Sequence, residues 1–302
     1  MNIRTGIDLG GTKIEIVALD SGDNPIYQKR IATPQGDYQA TLTAIKDLVF
    51  YMEADLQQKT SIGIGTPGAI SQTTGRLKNS NSTCLNKQNI QQDLESLLKR
   101  PIRLSNDANC FTLSESCDGA AAHYNNVFGV IIGTGTGAGI VIEQKIINGA
   151  NQIAGEWGHN PLPWPKNSEL SQTTCYCGKN GCIETFLSGP GLQADYFRAT
   201  EQNLNSKEIV IAANQGDQES EHCLQRYEER MARALAHVIN ILDPEIIVLG
   251  GGMSNIERLY INVPQRWSDY VFSDQVLTKL VPAKFGDASG VRGAARLWPI
   301  NR

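Results

Sequence analysis

This chain begins twice. Residues 3–7 read as a strand, residues 9–12 as a tight turn, and residues 14–19 as a returning strand with Ile14, Ile16 and Ala18 on one face. From residue 127 the unit recurs: an apolar strand over 127–132, a glycine-rich turn over 133–139, and a strand back over 140–143. A chain of 302 residues that restarts in this way is expected to fold as two related α/β halves, at about 150 residues each.

The remaining segments fill out that reading. Residues 37–58 carry helical spacing at Tyr38, Leu42, Ile45, Leu48, Val49 and Met52. A strand over 61–65, a helix near 90–99 and a strand over 102–104 follow. The last ends at Ser105-Asn106-Asp107-Ala108-Asn109, before a helix over 110–122. Beyond the second hairpin, residues 150–190 are irregular and rich in Gly, Pro, Cys and Trp. A helix over 225–242 turns Met231, Leu235, Val238, Ile239 and Leu242 to one side. A buried-type strand over 246–249 runs into Gly250-Gly251-Gly252, and a final helix follows Ser289-Gly290. We expect one lobe from residues 1–117 joined by 288–302, and a second from 118–287.

Composition narrows the class. Lys+Arg number 27 against 31 Asp+Glu, a formal charge of −4, which argues against nucleic acid or an anionic membrane as main partner. No apolar run reaches the roughly 18 residues of a membrane span, and residues 1–8 lack the apolar core of a signal peptide, so a cytoplasmic chain is expected. A first strand at Ile3 leaves no room ahead of it for a DNA-binding segment. The count that needs a local cause is glycine, 29 residues with neither a collagen period nor a low-complexity tract.

Gly10-Gly11-Thr12-Lys13 invites a P-loop reading, since Gly6 and Gly11 have the right spacing. A P-loop needs Gly-Lys-Ser/Thr opening a helix, whereas here Thr12 precedes Lys13 and a strand follows. A hairpin still grips phosphate oxygens through successive N–H groups and the Thr12 hydroxyl, while an ordinary hairpin turn explains the glycines equally well. Asp8, on the strand just before, favours the phosphate reading, because a carboxylate there serves Mg²⁺ or its waters. Gly133-Thr134-Gly135-Thr136-Gly137-Ala138-Gly139 satisfies the loose dinucleotide fingerprint but is followed by a strand where a helix is required. Two phosphate-type hairpins opening two similar halves are more specific than either alone. Gly250-Gly251-Gly252 suits a backbone surface against a base or phosphate, or a tight strand–helix turn; the residues do not choose between them.

Asp107 lies just past a strand end, where a rigid element fixes a side chain and the loop leaves it accessible. It reads as a helix N-cap or, with nucleotide-type loops on either side, as the base for a hydroxyl attacking a γ-phosphoryl group. Cys175, Cys177 and Cys182, with His159 upstream, supply three thiolates and an imidazole for a closed tetrahedral Zn²⁺ site. The other cysteines, Cys84, Cys110, Cys117 and Cys223, are scattered and read as core or half-buried residues. Glu156 and Glu184 flank the cluster, where a metal-stapled loop would aim them at sugar hydroxyls. Trp157, Trp164 and Trp267 read as packing residues.

Together, Asp8-Leu9-Gly10-Gly11-Thr12-Lys13, the 133–139 hairpin, Gly155-Glu156-Trp157-Gly158-His159 and Cys175-Tyr176-Cys177-Gly178-Lys179-Asn180-Gly181-Cys182-Ile183-Glu184 resemble the ROK family of sugar kinases and sugar-responsive repressors. The resemblance runs over residues 3–298. It implies the actin-like ATPase fold, two ribonuclease H-like lobes with ATP and sugar meeting in the cleft. It implies that Gly6, Asp8, Gly10, Gly11, Thr12 and Lys13 hold ATP phosphates and Mg²⁺, together with Gly133, Thr134, Gly135, Thr136 and Gly137. Gly250, Gly251 and Gly252 would lie by the adenosine. Asp107 matches the catalytic base, Asn106, Glu156, His159 and Glu184 match sugar-binding positions, and Asn81 joins them. His159, Cys175, Cys177 and Cys182 match the ligands of a structural Zn²⁺, and a homodimer is implied as well.

Within the family, Asn79-Ser80-Asn81-Ser82-Thr83-Cys84-Leu85-Asn86, Asn160-Pro161-Leu162-Pro163-Trp164 and Asn240-Ile241-Leu242-Asp243-Pro244 look most like the fructose-phosphorylating branch. ATP-dependent phosphorylation of D-fructose at its 6-hydroxyl is therefore the expected reaction. Kinases of N-acetylglucosamine, N-acetylmannosamine, glucose or mannose are the alternatives within the family, and a sugar-sensing binding protein is the alternative outside enzymes. Cys84 departs from the tryptophan expected in that branch and would enlarge a sugar pocket that it lined.

Overall fold

The computed structural model describes residues 3–80, 82–170 and 174–299. The first hairpin forms as read: β1 (Arg4–Leu9) pairs antiparallel with β2 (Lys13–Leu19), Asp8 opposite Glu15. A strand that the pattern did not suggest, β3 (Pro25–Ala32), extends the sheet beyond β2. Most of its side chains are exposed, so it lacks the apolar alternation of a half-buried strand, and Lys29 and Arg30 suit an edge. α1 (Tyr38–Leu56) starts at Asp37, whose carboxylate accepts from the Ala40 N–H at 2.9 Å, and it buries Leu42, Ile45, Leu48, Val49 and Met52. There follow β4 (Ser61–Thr66), a separate small hairpin of β5 (Ala69–Ile70) and β6 (Leu77–Lys78), α2 (Ile90–Leu98) and β7 (Ile102–Asn106). The five-stranded sheet runs β3-β2-β1-β4-β7, with β4 parallel to both β1 and β7. α3 (Asp107–Cys117) leaves β7 without a loop.

β8 (Asn126–Ile132) and β9 (Thr136–Ile142) repeat the opening hairpin, with β10 (Lys145–Ile146) at the edge. The turn is shorter than expected. Only residues 133–135 leave the ladder, and the glycines at 137 and 139 already pair across to β8. The irregular segment ends at α4 (Glu184–Leu187), α5 (Gly189–Thr200) and α6 (Ser206–Asn214). α7 (Gln218–Leu242) starts earlier than its apolar periodicity suggested, because Asp217 caps it and Cys223, Leu224 and Tyr227 extend the buried stripe. β11 (Ile246–Gly250), α8 (Leu259–Trp267), β12 (Lys279–Pro282) and α9 (Ser289–Arg296) complete the second sheet, β10-β9-β8-β11-β12, and the chain's last helix.

Each sheet has its own apolar core, one around Ile7, Ile16, Ile45 and Ile62, the other around Phe128, Val130, Met231 and Leu235. Two helices join them. α3 lies on β8 and β9, α9 lies on β1 and β4, and the two pack on each other. That crossing is backbone against backbone: a Cβ at Gly293 would stand 1.7 Å from the Cys110 carbonyl oxygen. Gly6 is likewise pressed under α9, its would-be Cβ 1.9 Å from the Val291 carbonyl oxygen. Helix packing alone therefore accounts for glycine at position 6. Among the described residues no helix is long and apolar enough to cross a membrane.

Candidate active site

Asn106 and Asp107 stand where β7 becomes α3, and the N-cap falls to Asn106. Asn106 is the cap: its Oδ1 accepts from the Ala108 N–H at 2.9 Å and its Nδ2 donates to the Gly68 carbonyl at 3.0 Å. Asp107 is the first helical residue, with Oδ1 2.8 Å from the same Ala108 nitrogen. Burial pushes the Asp107 carboxyl up to about 6; the Glu156 carboxylate adds to the rise, while the Ala108 N–H and Asn106 restrain it. Asp8, near the end of β1, is raised to about 7, first by burial and then by the charges of Asp107 and Glu15. Lys13 and Arg30 oppose that rise.

A polar cavity of about 180 Å³ opens beside Asp107. Its wall brings together Asn106, Asp107, residues 133–137, Glu156, His159 and Glu184 from segments far apart in the chain. Glu184 opens α4 and accepts from the Thr136 N–H at 2.9 Å, so the second hairpin and the Cys-rich loop brace each other through one carboxylate. Residue 135 has to be glycine for this, because a Cβ there would lie 2.7 Å from Glu184 Oε2. Gly68, Asn79 and Tyr176 complete the wall and were not singled out from the sequence. Asn79 carries a positive φ of 60°, which asparagine tolerates in turns, and Tyr176 reads in sequence only as a spacer between cysteines.

His159, Cys175, Cys177 and Cys182 converge, their four donor atoms all within 4.8 Å of one another. His159 Nδ1 lies 3.5 Å from Cys175 Sγ, and Cys177 Sγ lies 3.6 Å from Cys182 Sγ. Ligands bonded tetrahedrally to one ion at about 2.0–2.3 Å stand that far apart, so the donor set fits Zn²⁺. The other nitrogen, His159 Nε2, reaches the cleft but is 2.8 Å from the Tyr176 hydroxyl. Anchorage of the loop comes from α7: Arg233 donates to the Pro163 and Trp164 carbonyls and pairs with Glu169, which also pairs with Arg230. Trp157 and Trp267 are buried as expected, whereas Trp164 is exposed and stacks on Tyr270 at 5.4 Å.

A larger cavity of about 820 Å³ also borders the second hairpin. Gly133 and Thr134 wall both cavities; the larger is otherwise lined by Gly252 and Met253 and by residues of α5 and α6, among them Pro190, Gln193 and Val210. Of the three consecutive glycines only Gly252 reaches it. Gly250 lies against the Phe111 ring, and Gly251 makes the turn at a φ of 81°. The first hairpin is not in the wall of the Asp107 cavity. Gly10, Gly11 and Thr12 line a neighbouring cavity of about 390 Å³ with Ser82 and Cys84, and Lys13 pairs with Asp287 at 3.6 Å. Cys84 borders the first hairpin's cavity and is not in the wall of the Asp107 cavity, so the condition on which it would enlarge a sugar pocket is not met there. Asn81 lies outside the described residues.

Comparison with known proteins converges on one family. The ROK family model matches residues 4–300. The N-acetyl-D-glucosamine kinase of Yersinia enterocolitica is 37% identical over 296 residues, covering 97% of this chain and 98% of that protein. The N-acetyl-D-glucosamine kinase of Photobacterium profundum is 38% identical with the same coverage. Among solved structures, the ROK hexokinase of Thermus thermophilus superposes with a TM-score of 0.86 at 27% identity, over 97% of this chain and 96% of that one. The two-lobed α/β architecture is that of the actin-like ATPases, as expected. Fructose draws no support from the Yersinia and Photobacterium relatives, both of which are named for N-acetyl-D-glucosamine.

Proposed function

This chain belongs to the ROK family, and we propose that within it the protein is an ATP-dependent sugar kinase acting on N-acetyl-D-glucosamine. The observation that carries the kinase reading is the shared wall of Gly133 and Thr134, which borders both a small polar cavity holding Asp107 and a larger, more apolar one. Sugar and nucleoside in the two cavities would meet at the hairpin amides, which stabilise the transferring phosphoryl group. The choice of sugar rests on the relatives named above.

In this reading Asp107 takes the proton of the attacking sugar hydroxyl, and its raised pKa keeps it a competent base near neutrality. Asn106 fixes the approach of Asp107 by capping the helix that carries it. Glu156 and Glu184 accept hydrogen bonds from sugar hydroxyls. Asp8 would hold Mg²⁺ or its waters; the ion, bound with the nucleotide, supplies neutralisation of phosphate charge. His159, Cys175, Cys177 and Cys182 would hold Zn²⁺ as a closed set with no open position, so it organises the loop and leaves the chemistry to Asp107.

A second reading keeps fructose as the acceptor, favoured by the likeness of residues 79–86, 160–164 and 240–244 to the fructose-phosphorylating branch. A coupled ADP assay over N-acetyl-D-glucosamine, N-acetyl-D-mannosamine, D-fructose, D-glucose and D-mannose separates the two. The highest kcat/KM is expected on N-acetyl-D-glucosamine. A maximum on fructose transfers the conclusion to the second reading, and ADP release indifferent to every sugar overturns both.

A further inference from the structure

Tyr176 sits between two cysteines at the tip of the loop closed by the Thr174–Asn180 bridge. Its side chain is 72% exposed and belongs to no core, yet it is held in place. The phenol oxygen lies 2.8 Å from His159 Nε2, and the two rings meet edge to face with centroids 5.0 Å apart. Burial does not explain this placement of a large aromatic ring; the bond to His159 does.

His159 is engaged at both nitrogens. Nδ1 faces Cys175 Sγ at 3.5 Å within the four-donor cluster, so a metal held there takes the Nδ1 lone pair and leaves the ring proton on Nε2. Nε2–H then donates to the Tyr176 oxygen, which frees the phenol's own O–H to donate elsewhere. Around that hydroxyl is the cleft: Tyr176, Asp107, Glu156 and Glu184 wall the same cavity.

We propose that Tyr176 is a specificity-determining residue, the group that the sugar meets on this wall in place of the His159 imidazole. Its oxygen is pinned by His159 and its O–H donates to one oxygen of the bound hexose. Because the phenol's acceptor side is occupied, the wall offers a donor alone. A sugar hydroxyl or an acetamido carbonyl at that place satisfies it, and a deoxy carbon does not. This inference rests on the sugar-kinase reading above and adds a contact that Glu156 and Glu184, as acceptors, do not supply.

The test is Tyr176→Phe in the full-length, metal-loaded protein, which removes the hydroxyl and keeps the ring. Calorimetric Kd values for the preferred sugar and its monodeoxy analogues are measured beside KM, kcat, zinc content and thermal midpoint. The loss of one hydrogen bond is expected to weaken sugar binding and raise KM by about three- to tenfold, with kcat within about twofold. One deoxy analogue is expected to bind the parent protein weakly by the same factor and to lose nothing further in the variant, as coupled partners do. Unchanged sugar affinity overturns the proposal, as do losses that add independently for every analogue. A fall in zinc content or thermal midpoint that accounts for weaker binding assigns Tyr176 to loop structure and overturns it too. If the parent binds and phosphorylates no hexose, the sugar-kinase reading itself fails; if the parent acts on a hexose and the variant matches it, only the role of Tyr176 does.

Discussion

Asp107 and Glu156 set the pH at which the proposed chemistry starts. The Asp107 carboxyl, raised to about 6 by burial and then by Glu156, acts as a base only when ionised. The sugar-kinase rate is therefore expected to climb about tenfold per pH unit below 6 and to level off above 7. Glu156→Gln removes a raising charge, so the acid limb moves to lower pH, which a kcat/KM profile would detect; a limb that stays put separates the two groups. Asp107→Asn is expected to cut kcat by about a hundred- to ten-thousand-fold. The same substitution has a signed effect on stability. A buried carboxyl with a raised pKa binds its proton more tightly folded than unfolded, so it costs stability as pH rises from about 4 through about 6. The thermal midpoint of Asp107→Asn should exceed the parent's at pH 7.5, and the gap should close toward pH 4.5. Near-parental turnover in that variant would remove Asp107 from the role of base.

The Cys-rich loop carries His159, Tyr176 and Glu184 to one wall as a unit, so its metal is expected to govern sugar more than nucleotide. The purified chain should contain about one zinc, and removal by a strong chelator should raise the sugar KM severalfold while the ATP KM moves little. Equal loss on both substrates, or a chain that never held zinc, would contradict this. The convergence of His159, Cys175, Cys177 and Cys182 was legible because cysteine and histidine are rare and their spacing is that of a metal site. Its neighbours were less so. α5 and α6, which wall the larger cavity, fell in a stretch left unassigned, although Ser188 before Gly189-Pro190 caps α5 and Asn205 with Glu208 forms a capping box on α6. α6 carries its apolar residues as one run, Ile209-Val210-Ile211-Ala212-Ala213, and α5 mixes its own with Gly, Gln and Asp, so periodicity is silent where caps are explicit. β3 escaped for the related reason that an exposed edge strand buries no alternating face. The glycines of 133–139 were legible as a motif but misjudged as one long turn, since residues 136–139 belong to β9 and have β8 partners that only the ladder reveals.

At the scale of the molecule, the repeated hairpins lie in separate sheets, and α3 and α9 bind those sheets together back to back. The sequence repeat foretold the two halves. The crossing between them was not legible, because it depends on Gly293 meeting Cys110 across a separation that no local pattern spans. The placement of α9 also orders events in time. The second sheet and its helices come from one uninterrupted stretch, whereas β1 and β4 lie under Val291, Ala294 and Ala295, which are synthesised more than 200 residues after them. Synthesis proceeds from the N-terminus at about 5–20 residues per second, so the half made first is the half that waits. A chain ended at residue 287 is expected to yield a protease-resistant fragment near 107–287, α3 included, while residues 1–106 are digested. Protection of the early residues in that truncated chain would show that they close without their lid. Birth order and folding order are thus expected to run opposite ways: β1 and β4, made early, are covered only once α9 has been made.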